Sequence, residues 1–190
     1  ARGRCDAAAR AGDAAPATSR SHRRAAPRNR RRPDIRRSAA PDAFQILFNE
    51  KVAAPPSAVY AAIGQVDRWW DGAHSYSSDA ANLSIAMQPG GCWCERWAGG
   101  AVEHARVIML LKDQVVRIEG GFGPLQVLAV SAVLTFQMKA EDGGTALAVG
   151  YRVNGSSASG LDKLAQPVDG VIGGAVGRLK RYVETGKPAP

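Results

Sequence analysis

From Phe44 onward, hydrophobic and polar positions alternate with two different periods, and the switches between them divide the chain into elements. FQILFNEKV (Phe44 to Val52) is rich in aromatic and branched residues and roughly alternating, which predicts a strand. AAPP interrupts it. PSAVYAAIGQVDRWW then places Val59, Ala62, Ile63 and Val66 at the spacing of an amphipathic helix, with Pro56 in the first turn, where a missing N–H costs little. A series of strand-like runs follows, separated by turn residues: NLSIAM, with Leu83, Ile85 and Met87 on one face, then CWCERW, VEHARVIMLL, VVRIEGGFG, VLAVSAVLTFQM and TALAVGYRV. In the last two, Leu134, Phe136, Met138, Leu147, Val149 and Tyr151 share one face while Thr135, Gln137 and Lys139 share the other, the pattern of one sheet with one wet side. Toward the C-terminus, Leu161, Leu164, Val168, Ile172, Ala175, Leu179 and Tyr182 recur at steps of three and four, which predicts a long helix. Gly170, Gly173, Gly174 and Gly177 weaken it by about 1 kcal/mol each relative to Ala, so it needs tertiary support and a close approach to what lies beneath. Pro167 is expected to kink this helix or to start its main part.

Charge is distributed unevenly. Residues 1 to 40 carry twelve Arg against three Asp, whereas residues 41 to 190 carry thirteen Lys and Arg against fourteen Asp and Glu. The basic character therefore belongs to an Arg- and Ala-rich segment, residues 1–41, whose only large aliphatic residue is Ile35. Such a segment buries too little apolar surface to offset the entropy of ordering and reads as a disordered tail. It is a solvated extension, a phosphate- or membrane-binding arm or a targeting peptide on its composition alone. The folded part has no basic stripe and no nucleic-acid partner is expected for it. No apolar run reaches the length of a secretory core or a membrane span, so the chain as written is expected to be cytoplasmic.

The candidate chemistry lies in GGCWCERWAGGAVEH, Gly90 to His104. With a two-residue turn at Gly99 and Gly100, Glu95 faces His104, Cys94 faces Ala105 and Trp93 faces Arg106. Trp93, Glu95, Trp97 and His104 then share one face, and Cys92, Cys94, Arg96 and Glu103 the other. A metal site combining both cysteines with His104 would need ligands from opposite faces, and C-x-C matches no common zinc spacing, so no metal or cofactor is expected. Cys92 and Cys94 read as two reduced thiols acting as small apolar residues, with a strained disulfide as the alternative. Glu95 and His104 are either a general acid–base couple, the carboxylate raising the His pKa, or an ordinary cross-strand pair worth about 0.2–1 kcal/mol. Trp69, Trp70, His74 and Tyr76 follow the first helix, as aromatics with polar tips that suit a cavity mouth or a loop packed over the core.

The order of elements, carried by VAAPPSAVYAAIGQVDRWWD, PGGCWCER, GPL, LTFQMKAEDGGTALAVGYRV and VGRLKRYVETGKP, resembles the START-like or SRPBCC superfamily, and within it bacterial proteins of the heat-shock-protein ATPase activator-like and polyketide cyclase/dehydrase groups. The resemblance implies an α+β helix-grip fold over residues 42–187, a curved antiparallel sheet of about seven strands wrapped on the C-terminal helix. It also implies an apolar cavity between sheet and helix that holds a hydrophobic or amphipathic small molecule. The residues expected to form it are Trp69, Trp70, His74, Tyr76, Trp93, Trp97, Phe122, Leu125, Phe136, Tyr151, Val168 and Ile172. A cyclase/dehydrase-like or hydrolytic enzyme using Glu95 and His104, or a co-chaperone-like interaction module, are the alternatives. Proteins of this kind are often exported behind a signal peptide ending near the position of SAAPDAF, so a periplasmic address follows if the tail stands in place of one. Oligomeric state stays open.

Overall fold

The computed structural model describes residues 37–189, and the reading of a disordered tail falls on residues 1–36, outside them, except at its end. There, Arg37–Ala40 forms an edge strand, β1, antiparallel to β2 (Ala43–Val52). Arg37–Ala40, read from the sequence as part of the tail, thus lie in a strand. All four residues of β1 are exposed, while the next two carbonyls are anchored: Pro41 accepts from Leu161 N at 2.9 Å and Asp42 from Gly155 N at 2.8 Å. A chain starting at Pro41 keeps both bonds and the whole core, so its melting temperature is expected to stay within a few degrees of the full chain's. A larger drop in a thermal denaturation scan would show that β1 or the residues before it contribute substantially to stability.

After β2 come two short helices, α1 (Pro56–Ile63) and α2 (Val66–Trp69), then β3 (Leu83–Ile85), β4 (Cys92–Trp97), β5 (Gly100–Leu111), β6 (Val115–Glu119), β7 (Ser131–Glu141), β8 (Gly144–Asn154) and α3 (Leu161–Thr185). The eight strands form one antiparallel curved sheet in the order β1-β2-β8-β7-β6-β5-β4-β3. This is a helix-grip arrangement, with α3 packed against β1, β2, α1 and α2. Alternation builds it: Ile46, Phe48, Leu134, Phe136, Leu147, Val149, Tyr151 and Val153 all point inward and join Val168, Ile172, Val176 and Leu179 of α3 in one core cluster. At about 25 cal/mol per Å² of apolar surface, each of these large side chains contributes roughly 1.5–3 kcal/mol on burial.

Local differences from the sequence pattern have local causes. The helix expected over PSAVYAAIGQVDRWW divides at Gly64 and Gln65, where Gln65 leaves helical geometry (φ −97°, ψ 50°), and the Trp69 indole N–H folds back onto the Ala62 carbonyl at 2.8 Å. NLSIAM forms only a three-residue strand, and Met87 lies beyond it. VLAVSAVLTFQM is strand only from Ser131, because Gly123–Leu128 is a 3₁₀ segment ended by Ala129 in the left-handed region (φ 49°). α3 is one element, with Pro167 in its second turn rather than at its start. Gly173 has the expected reason to be glycine: a Cβ there would stand 2.9 Å from the Phe48 ring beneath. At Gly170, Gly174 and Gly177 a Cβ would meet nothing, and the buried stripe of α3 supplies the support that these positions remove.

Candidate functional site

The hairpin of β4 and β5 turns at Ala98 and Gly99, with Trp97 opposite Gly100, one residue earlier than the glycine pair suggests. Glu95 therefore faces Val102 and Cys94 faces Glu103. The register then shifts between Trp93 and Cys94, so that Trp93 faces Ala105 and His104 is the extra residue of a β-bulge. The bulge brings His104 back to the inner side, where its Nε2 lies 3.0 Å from Glu95 Oε2. The neighbouring strand makes room for it: a Cβ at position 120 would stand 2.4 Å from the His104 carbonyl oxygen, so Gly120 permits the close approach. Trp93 and Glu95 point inward as expected, while Trp97 is only half-buried, its ring lying over Gly99 and Gly100.

The reading of the cysteines is corrected as well. Cys92 and Cys94 are joined in a disulfide. An extended strand sets Cα atoms two apart at about 6.6 Å, whereas here they are 5.3 Å apart, within the range that a disulfide spans. Neither cysteine lines the cavity described below. Replacing both by Ser is therefore expected to lower stability by only about 1–2 kcal/mol, the scale for a very short closed loop, and to change ligand affinity by less than about threefold. Denaturant titration and a binding titration of the same variant check both parts.

Glu95 is completely buried. Its carboxylate accepts the backbone N–H of Tyr76 at 3.0 Å, that of Ser77, and the His104 ring N–H. Burial by itself raises a carboxyl pKa, but the Ser77 side chain and backbone, the Tyr76 N–H and His104 together outweigh it and hold Glu95 below its ordinary value. It is ionised at neutral pH. For His104 the balance is opposite to the sequence expectation: desolvation lowers its pKa by more than the hydrogen bond and charge of Glu95 raise it. A neutral imidazole beside an acceptor-only carboxylate must carry its proton on Nε2.

Between this end of the sheet, the 3₁₀ segment after Phe122 and α3 lies a cavity of about 390 Å³. Its walls include Trp70, His74, Tyr76, Trp93, His104, Phe122, Val168 and Ile172 from the sequence-based set, joined by Ser75, Leu83, Gly123, Pro124, Pro167 and Val171. The indole N–H of Trp70 holds the His74 carbonyl at 3.1 Å, and the exposed Tyr76 hydroxyl donates to Gln126 Oε1 at 2.9 Å, which ties the mouth together. The remaining expected residues lie outside the wall. Trp69 is core behind Trp70 and Trp93, and Leu125 and Phe136 are core as well. The Tyr151 hydroxyl is used up between the Gly120 carbonyl (3.0 Å) and the Phe122 N–H (3.2 Å). Glu95 is not itself in the wall and reaches it through His104 and the backbone N–H of Tyr76. Alternation tells inward from outward but not which inward residues sit at the open end, and Ser75, Gly123 and Pro124, which lie outside the strands and α3, carry no periodic signal at all. Among the described residues no group of three or more His, Cys, Asp or Glu stands ready to hold a metal ion. No helix among them is long and apolar enough to cross a membrane.

No family model matches the chain, and no curated protein matches it. Solved structures do resemble it. A protein of unknown function from Staphylococcus aureus, SA2116, superposes with a TM-score of 0.56 at 14% identity, covering 76% of this chain and 96% of that one. The Aha1 dimer from Colwellia psychrerythraea gives 0.54 at 18% identity, covering 75% and 98%. CalU16 from Micromonospora echinospora gives 0.50 at 14%, covering 76% and 78%. At such identities the likeness is one of fold.

Proposed function

We propose that this protein binds a hydrophobic or amphipathic small molecule in the cavity between the sheet and α3. The observation that carries the reading is the cavity itself: at about 390 Å³ it falls within the range of small-molecule sites, about 300–1,000 Å³, and its buried walls are aromatic and aliphatic apart from one histidine. The charge balance of residues 41 to 190 supports a partner other than nucleic acid, and the Cys92–Cys94 disulfide supports an oxidising compartment. The test is titration with the neutral fluorescent probe N-phenyl-1-naphthylamine. Saturable binding at one site is expected, abolished by Val171→Trp, which fills the cavity from a half-exposed position on α3. Binding that survives this variant would place the probe elsewhere.

The second reading, a hydrolytic or cyclase/dehydrase-like enzyme, is favoured by one feature, the buried Glu95–His104 pair in the wall. Glu95 is the only hydrogen-bond partner of the His104 ring among the described residues, so a base at this position would act on water or on the ligand rather than on a protein nucleophile. Turnover of a panel of naphthyl esters that disappears in His104→Gln would establish it. A co-chaperone-like interaction module, the third possibility, has no need of a cavity, and the likeness to Aha1 speaks only to fold.

A further inference from the structure

We propose that the cavity selects a neutral amphipathic molecule presenting one O–H or N–H donor, of the phenol or enol class, and that His104 Nδ1 accepts this hydrogen bond. The inference rests on the ligand-binding reading and specifies its chemistry. Among the buried residues of the wall, Trp70, Leu83, Trp93, Phe122, Val168 and Ile172 are apolar, and His104 alone is polar. Its ring lies between those of Tyr76 and Phe122, with centroids 5.8 and 6.4 Å away and nearly parallel to Phe122, so it stands in the wall rather than behind it.

Glu95 is no partner for a ligand, since it is fully buried and both of its oxygens already accept protein N–H groups. It does determine what His104 offers. A carboxylate only accepts, so the Nε2 it faces must donate, and the neutral ring keeps its lone pair on Nδ1. Nδ1 makes no hydrogen bond with the described residues. The only fully buried side-chain polar atom without a partner among them is Asp169 Oδ1, so Nδ1 retains accessible surface. A pure hydrocarbon would cover this acceptor and leave it unpaired, which is the costly half of the hydrogen-bond balance. A carboxylate fares worse. No Lys or Arg lines the cavity, so an anion finds no countercharge there and is repelled by Glu95 across the ring.

The test is calorimetric titration of the full chain at neutral pH with three probes of one shape: 2-naphthol, 2-methoxynaphthalene and 2-naphthoate. The naphthol is expected to bind about tenfold more tightly than its methyl ether, the scale of one buried hydrogen bond made or left unmade, and the naphthoate more weakly than either. In His104→Phe the ether should still bind and the naphthol should lose its advantage. Should that variant fail to fold, the wild-type protein decides. Its 15N spectrum is expected to show His104 with a protonated Nε2 and an unprotonated Nδ1, the latter shifting toward the protonated range when naphthol is added. Equal affinity for naphthol and ether, an advantage that survives His104→Phe, tightest binding of the naphthoate, or a proton on Nδ1 in the free protein would each overturn the proposal. Failure of all three probes to bind would instead remove the ligand-binding reading, and this assignment with it.

Discussion

Trp93→Ala is expected to lower the unfolding free energy by about 3–5 kcal/mol, the usual cost of deleting a large aromatic from a packed core. Trp93 is 1% exposed. Its ring meets Phe122 at a centroid distance of 4.9 Å, Trp70 at 5.3 Å and Trp69 at 6.2 Å, each edge-on. Every such pair adds about 0.5–1.5 kcal/mol beyond the area it buries. The same ring forms part of the cavity wall, so the substitution should also weaken binding of a neutral aromatic probe, by about 1–3 kcal/mol. Urea denaturation measures the first effect, and probe titration well below the melting temperature measures the second. The contrast with Cys92→Ser/Cys94→Ser is informative: the cysteines flank Trp93 in the same strand, yet they do not line the cavity. A stability loss under 1 kcal/mol for Trp93→Ala, on the scale of a surface substitution, would mean that the aromatic cluster is not packed in solution as it is here.

The architecture was legible because it depends on periodicity. Alternation in Leu134 to Met138 and Leu147 to Tyr151, and the three-and-four spacing from Leu161 to Tyr182, each have one structural solution, and α3 laid on the inner face of the sheet joins them. Register was less legible, because Ala98, Gly99 and Gly100 allow the turn of β4 and β5 to be placed in two ways and no pattern announces a bulge. The turn lies one residue earlier than expected, which moves Glu95 opposite Val102, and the bulge at His104 then restores its contact with Glu95. The pair was thus anticipated through a register that does not occur. The disulfide was not legible either, since ideal strand spacing holds Cys92 and Cys94 too far apart, whereas their Cα atoms here stand 5.3 Å apart. The sign of the His104 shift also escaped a pairwise argument. Opposing an imidazole to a carboxylate accounts for the attraction, whereas desolvation depends on how deeply the whole fold buries His104, which the hairpin alone does not reveal.

Glu95→Gln is expected to cost about 1.5–3 kcal/mol at neutral pH, because it weakens the hydrogen bonds made to a buried charged acceptor and leaves a buried donor without a partner. The amide keeps one acceptor oxygen for three donors, and its NH₂ is turned against a backbone N–H of Tyr76 or Ser77 or against His104. The pH dependence gives this prediction its specificity. Both groups have folded pKa values below their ordinary ones, 4.5 for Glu95 and 6.5 for His104, so the unfolded chain binds protons more readily at each. The stability each contributes is complete above its unfolded pKa and is lost as pH falls through the folded one. Wild-type stability should therefore begin to decline below pH 6.5 as His104 is forced to charge, and decline further below pH 4.5 as Glu95 is forced to neutralise. Each group contributes a slope of at most about 1.4 kcal/mol per pH unit. In Glu95→Gln the second decline is absent, so the gap between variant and wild type should narrow as pH falls below 4.5. Paired urea denaturation curves across the acid range measure that gap. A gap that stays constant from neutral pH through the carboxylate range would show that Glu95 acts in the fold by its shape rather than by its charge.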